Sequence, residues 1–194
     1  HDVIGGSEPL EWGQISDTDF YHAFRTYDER MRPWIHDLQE GESAFDNADP
    51  NRRPHKFVNG ERIENIKKNR DKYTRQKWDR FVQCVHTRND QLAAQNTVHP
   101  VEDRVFSVRE LMEMMTIPHD FKWLPMELRE LNALPIEEKR RIYKAHETNI
   151  RQCLGEAVPT EIVRQIAAGI KRQLNNRKHS PGQLNRIIEE HNLT

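Results

Sequence analysis

The stretch Arg151–Thr160, RQCLGEAVPT, decides how the C-terminal half of this 194-residue chain is assembled. Gly155 can adopt backbone angles closed to other residues, or let another group approach closely. Pro159 fixes φ and suits the start of a helix. Thr160 is a natural N-cap, and Glu161 sits on the favourable side of the helix dipole. The spacing therefore predicts a tight connection followed by a helix. From Thr160 to Leu174, Ile162, Val163, Ile166, Ala167, Ile170 and Leu174 share one face, opposite Arg164, Lys171 and Arg172. Beyond it, SPGQLNRIIEEHN (from Ser180) predicts a last short helix with Pro181 at its first position.

Upstream, RVFSVRELMEMMTIP (104–118) carries the clearest local helix signal. Ser107 and Glu110 have the spacing of a capping box, in which each side chain bonds the other's backbone amide. Leu111, Met114 and Met115 then form an apolar stripe, and Pro118 ends it. Residues 135–148, opening with Pro135, Glu137 and Glu138, predict a surface helix. Phe20, Phe24, Tyr27, Met31, Trp34 and Leu38 recur at helical spacing, with Pro33 as a break, so two helical pieces or one kinked helix are expected over 17–40. Residues 1–15 are expected to be a loose lead-in and 40–55 a loop. Residues 60–72 suggest a short helix with Ile63 and Ile66 inward. Residues 77–88 suggest a strand, and 89–100 an exposed loop leading to a short strand.

The composition is polar for a compact chain: 35% hydrophobic, 31% charged, with a formal net charge of −1. The distribution says more than the total. From Arg52 to Arg80 there are eleven Lys or Arg against four acids, a net of +7, interspersed with Phe57, Tyr73 and Trp78. Cys84 and Cys153 lie far apart and form no CxxC, which fits a reducing compartment rather than a disulfide framework. The ten histidines show no ligand spacing, so no metal is expected. There is no long apolar run of membrane-spanning length.

Three segments in order resemble the C-terminal part of the DNA cytosine-5 methyltransferases. They are YTRQKWDRFVQCVHTRNDQLAAQNTVHP (73–100), RVFSVRELMEMMTIPHDFKW (104–123) and NIRQCLGEAVPTEIVRQIAAGI (149–170). The first resembles the end of a target-recognition domain. The second resembles the family's ninth motif, carried here by Arg104, Ser107, Arg109 and Glu110, with a structural role and Arg109 expected to pair with Asp103 or Asp120. The third resembles its tenth motif, which implies that Gly155, Glu156, Ala157 and Val158 contact S-adenosylmethionine. Glu156 stands where the family has Asn.

The family's Pro-Cys nucleophile is missing, because Cys84 and Cys153 each follow Gln; so are its Phe-x-Gly-x-Gly cofactor loop and its Gln-x-Arg-x-Arg segment. The family's Glu-Asn-Val segment has only a mimic in ENI (64–66). The resemblance thus implies a specificity-bearing part, inactive alone, whose catalytic domain lies in the same protein or a separate subunit. The expected fold class is α+β: mostly helical with a small irregular β recognition region, part of an α/β S-adenosylmethionine-dependent methyltransferase. The expected organisation is a lead-in and helical segment (1–40), a recognition region (41–103), a helical support (104–148), and a tenth-motif turn with C-terminal helices that would dock on the catalytic domain (149–194).

The intact enzyme would methylate C5 of cytosine in a specific duplex sequence, as in bacterial cytoplasmic restriction-modification. The alternative is a stand-alone sequence-specific DNA-binding module. Double-stranded DNA is the expected partner, with no membrane and no metal. Arg52, Arg53, Lys67, Lys68, Arg70, Arg75 and Lys77 are the phosphate-binding candidates. Arg88, Asn89, Gln91, Gln95 and Asn96 are the base-reading candidates, since these side-chain types can pair with guanine or adenine edges.

Overall fold

The computed structural model describes residues 3–65, 72–81, 83–94 and 97–178. The chain divides into two compact units, His1–Ala157 and Val158–Thr194. It is mixed α+β, with one two-stranded antiparallel sheet among the described residues. The first unit contains α1 (Arg32–Ile35), β1 (His55–Val58), β2 (Glu61–Glu64), α2 (Val108–Met114), α3 (Leu128–Ala133) and α4 (Ile136–Glu156). Single 3-10 turns lie at Glu29–Met31, Ala44–Asp46 and Pro50–Arg52. The second unit contains α5 (Thr160–Lys178).

Two apolar clusters fill the first unit. One gathers Phe20, Tyr21, Phe106, Val108, Leu111 and Met112 against Leu131, Tyr143, Ile150 and Leu154. The other gathers Phe24, Trp34, Ile35, Leu38, Tyr73, Leu92, Val98 and Val105. Long loops therefore supply much of the core, and helices α2 to α4 contribute the rest of the first cluster.

The helix expected over 17–40 is a correction. Most of that segment is irregular, and Ile15 makes an isolated antiparallel bridge with Ala23. Local side chains divert the backbone: Ser16 Oγ accepts from the amides of Thr18 (3.1 Å) and Asp19 (3.0 Å), and Asp19 Oδ1 accepts from Tyr21 (3.0 Å). Asn132 Oδ1 then captures the Phe20 amide at 2.7 Å. Such bonds compete with a helical ladder. The aromatic run is buried because it crosses the core, and only α1 is α-helical there, with Pro33 in its first turn.

Residues 60–72 do not begin with a helix either. His55–Val58 pairs with Glu61–Glu64 in a hairpin, and Ile63 sits opposite Lys56 and is exposed. The turn is Asn59-Gly60, with φ of 53° and 83°. Both values are left-handed, as the favoured two-residue hairpin turn requires. Ile66 lies outside the described residues, as does the last helix expected from Ser180. The strand expected at 77–88 is also absent among the described residues, and Phe81 is 98% exposed.

Around Ser107 the expectation matches. Ser107 Oγ accepts from the Glu110 amide at 3.1 Å, and Glu110 Oε2 accepts from the Ser107 amide at 2.7 Å. The surface helix expected over 135–148 is longer and more buried: α4 runs to Glu156 and buries Lys139, Tyr143, Glu147, Ile150, Arg151 and Leu154. Its polar residues are buried because they are paired. Lys139 Nζ donates to Asp17 O at 2.8 Å, and Arg151 Nε to Glu147 Oε1 at 2.8 Å. α5 begins at Thr160 as expected, and Ile162, Val163, Ile166, Ile170 and Leu174 on it are each about half exposed.

Candidate functional site

Arg104 is the centre of the ninth-motif region, and its side chain is 0% exposed. It grips Glu110 with two parallel bonds, Nη1 to Oε2 and Nη2 to Oε1, both 2.7 Å. Its Nε and Nη2 also reach Glu102 at 2.8 and 2.9 Å, and Nη1 reaches Val105 O at 3.1 Å. One guanidinium thus ties the loop before α2 to the first turn of α2. Burial pushes the Glu110 carboxyl up, but the Arg104 bonds and charge outweigh it and hold it down at about 2. Burial opposes the charge on Arg104 as well, and its bonds to Glu110 and Glu102 keep it above its ordinary value.

His99 is packed beside this pair, its ring edge-on to Trp78 and Phe106 with centroids 5.8 and 5.6 Å away. Its Nδ1 accepts from the amides of Val101 (3.3 Å) and Glu102 (3.0 Å). Burial pushes its pKa down to about 4, despite the opposing pull of Glu110. Arg109 pairs with neither Asp103 nor Asp120: its Nε and Nη2 hold Asp19, and its Nη1 donates to His119 O at 3.0 Å.

The tenth-motif segment meets the other two through Arg151 and Gly155. Arg151 Nη1 donates to Asn89 Oδ1 (3.1 Å) and to Phe106 O (3.0 Å). Asn89 returns the contact, its Nδ2 donating to His86 O (2.7 Å) and Arg151 O (2.9 Å). One turn further along α4, Gly155 faces the backbone of His86 and Thr87. A Cβ there would lie under 3.0 Å from main-chain atoms that have no flexible end to move aside. Gly155 is therefore needed for close approach of helix to loop.

The DNA candidates fall into separate groups. Arg75 is buried and spends its guanidinium inward, on His99 O (2.9 Å), Glu102 O (3.0 Å), Ile35 O (2.9 Å) and Asp103 Oδ1 (2.6 Å). Asn89 is buried in the bonds just described. Neither lies on a surface that a duplex could reach in this conformation, which corrects their assignment as contacts. Arg52 is half-buried, with Nε on Pro33 O at 3.0 Å and Nη2 on His36 O; Arg53 Nε donates to Asn47 O at 2.7 Å. Lys77 is exposed, its stem lying against Gly41. Arg88 and Gln91 are exposed, with Arg88 Nε 3.2 Å from Asp90 Oδ1. Lys67, Lys68, Arg70, Gln95 and Asn96 lie outside the described residues.

Of the cofactor candidates, Gly155 has its open side filled by the His86–Thr87 backbone, so it is not free to admit a ligand there. Glu156 and Ala157 are exposed at the end of the first unit, and Val158 is 58% exposed at the start of the second. Glu156 Oε1 accepts from Gln152 Nε2 at 2.9 Å, and its carboxylate can accept further donors. Among the described residues no group of three or more His, Cys, Asp or Glu could hold a metal ion, and no helix is long and apolar enough to cross a membrane.

The sequence reading missed the surface of the β1–β2 hairpin, although the Asn59-Gly60 dipeptide was the signal for it. No family model matches the chain, and neither the curated proteins nor the solved structures contain a match to it.

Proposed function

We propose that this chain is the DNA-recognition part of a DNA cytosine-5 methyltransferase, acting with a catalytic part that lies outside these residues. One observation carries the proposal. The three segments whose order resembles that family, separated along the chain, meet in one packed junction: Arg151 bonds both Asn89 and Phe106, and Gly155 seats the His86–Thr87 backbone. Motif residues that converge in space are better support than motif residues that merely follow one another. The junction gives them a task, which is to hold the loop around residues 86–91 rigidly on α4.

The division of labour follows from the chemistry. Exposed cations such as Lys77 and Arg88 would neutralise phosphates and set the register of a duplex. Base reading requires polar and apolar side chains at the groove edge. Cytosine methylation at C5 requires a thiolate to add to C6 of a base extruded from the stack. Cys84 and Cys153 are exposed but both follow Gln rather than Pro, so that thiolate would come from the catalytic part. S-adenosylmethionine supplies the transferable methyl group when bound. Glu156 and Ala157, at the end of the first unit, are the residues that would line its margin.

The test is transfer of a tritiated methyl group to duplex DNA. The chain is mixed with a catalytic polypeptide that carries the Pro-Cys and Phe-x-Gly-x-Gly segments and comes from the same or an adjacent reading frame. Incorporation that needs both components is expected. Incorporation by the catalytic polypeptide at the same rate and sites without this chain would contradict the proposal.

A further inference from the structure

The hairpin β1–β2 offers two different faces. Directly paired residues point to the same side of an antiparallel ribbon. His55, Phe57, Arg62 and Glu64 share one side. That side is partly covered: the His55 ring lies 5.3 Å from Trp34 and 5.4 Å from Phe57, and Arg30 stands over Phe57 at 5.9 Å, while Phe57 itself is 51% exposed. Arg62 also donates to Pro50 O. Lys56, Val58, Glu61 and Ile63 share the other side. All four are exposed, with Val58 at 40% and Ile63 at 43%.

Apolar side chains displayed on the outer side of a two-stranded ribbon need a reason. Their setting supplies one. The ribbon and its approach, Arg52 to Asn65, carry four cations against two acids, a net of +2, with Arg52, Arg53 and Arg62 also donating to backbone oxygens. The major groove of B-DNA, roughly 12 Å wide, admits a two-stranded ribbon. The exposed side carries the types that read base edges there: a lysine for guanine acceptors, a carboxylate for the cytosine amino group, and apolar groups for the thymine methyl. Asn59 at the tip adds an amide of the kind that pairs with adenine. The ribbon is also tied to the protein, because the His55 ring on its inner side lies tilted against Trp34, a residue of the second core cluster.

We infer that the Lys56–Val58–Glu61–Ile63 face of the hairpin enters the major groove and reads base edges, in place of the 86–96 loop, whose Asn89 is spent on α4. This rests on the chain being a duplex-binding part.

The experiment uses the full chain and a pool of short duplexes with randomised centres, with bound duplexes recovered and sequenced. The unaltered chain is compared with Val58→Ser/Ile63→Ser, with Lys56→Ala, and with Gln91→Ala in the rival loop. Thermal unfolding followed by circular dichroism verifies that each variant is folded. Loss of enrichment of the selected sequence by roughly tenfold or more in the hairpin variants, with the Gln91 variant unaltered, is expected. Hairpin variants that select the same sequence as strongly as the unaltered chain would overturn the inference and leave duplex binding standing. An unaltered chain that binds duplexes without selecting any sequence would overturn it too. An unaltered chain that binds no duplex would overturn both.

Discussion

Arg104 and the β1–β2 hairpin show two opposite uses of charged residues in one chain. Arg104 is fully buried, and every bond it makes stays within the loop and the α2 turn that it joins. The hairpin displays Lys56, Val58, Glu61 and Ile63 outward, and its architecture depends on the Asn59-Gly60 turn and on Trp34 beneath it. The first region has stability at stake in each side chain. The second presents its outward side chains to solvent. Counting cations along the sequence does not separate these uses: Arg75, inside the basic run, belongs with Arg104.

The sharpest way to break this contrast is at Arg104. Arg104→Met leaves Glu110 buried beside a methionine and should cost about 3–5 kcal/mol, the usual penalty for removing one partner of a buried pair. Denaturant unfolding measures it. The double variant Arg104→Met/Glu110→Leu should be less destabilised than the two single losses added together, because neither leaves a buried charge behind. A loss under about 1 kcal/mol for Arg104→Met would fit a surface pair instead.

Acid should attack the same region. His99 has a folded pKa of about 4 against an ordinary 6.5, so the unfolded chain binds its proton first. Stability is therefore complete above 6.5 and falls as pH drops toward 4, by up to about 3 kcal/mol. Glu110, at about 2 against 4.5, adds a second loss as pH falls from 4.5 toward 2. Unfolding midpoints measured across this range should fall in that order, and His99→Phe should flatten the first step.

Gly155→Ala forces a Cβ into the His86–Thr87 backbone and should cost about 1–3 kcal/mol, the range of overpacking. Thermal unfolding reads it. Duplex binding should weaken as well if α4 positions the loop. The smallest effect is expected on the hairpin: Val58→Ser/Ile63→Ser should change stability by less than about 0.5 kcal/mol, as exposed substitutions do. A large loss there would mean that this face is packed rather than displayed.

Some of this structure was legible in the sequence, and the reasons differ by element. The Ser107–Glu110 cap and the start of α5 at Thr160 were readable because both depend on residues within one turn. The 17–40 region misled because aromatic spacing suits a helix, whereas Asp19 and the distant Asn132 claim the amides of that helix. Ile63 gave a false helical signal where the Asn59-Gly60 turn should have taken precedence. α4 was read as a surface helix over 135–148 because Lys139 and Glu147 look solvated; the partner of Lys139, Asp17 O, is far away in sequence, and that of Glu147, Arg151, lies beyond the stretch read as that helix. At the candidate site the same blindness applied: Arg75 and Asn89 have the chemistry of DNA contacts, and only the fold reveals their carbonyl and guanidinium partners.

The most direct measurement for the central claim is binding of the full chain to duplex DNA at rising salt, followed by fluorescence anisotropy. Between about 50 and 200 mM salt, affinity should fall roughly tenfold to a thousandfold, as expected when several phosphates are neutralised. Absence of binding at the lower salt, or an affinity indifferent to salt, would contradict it.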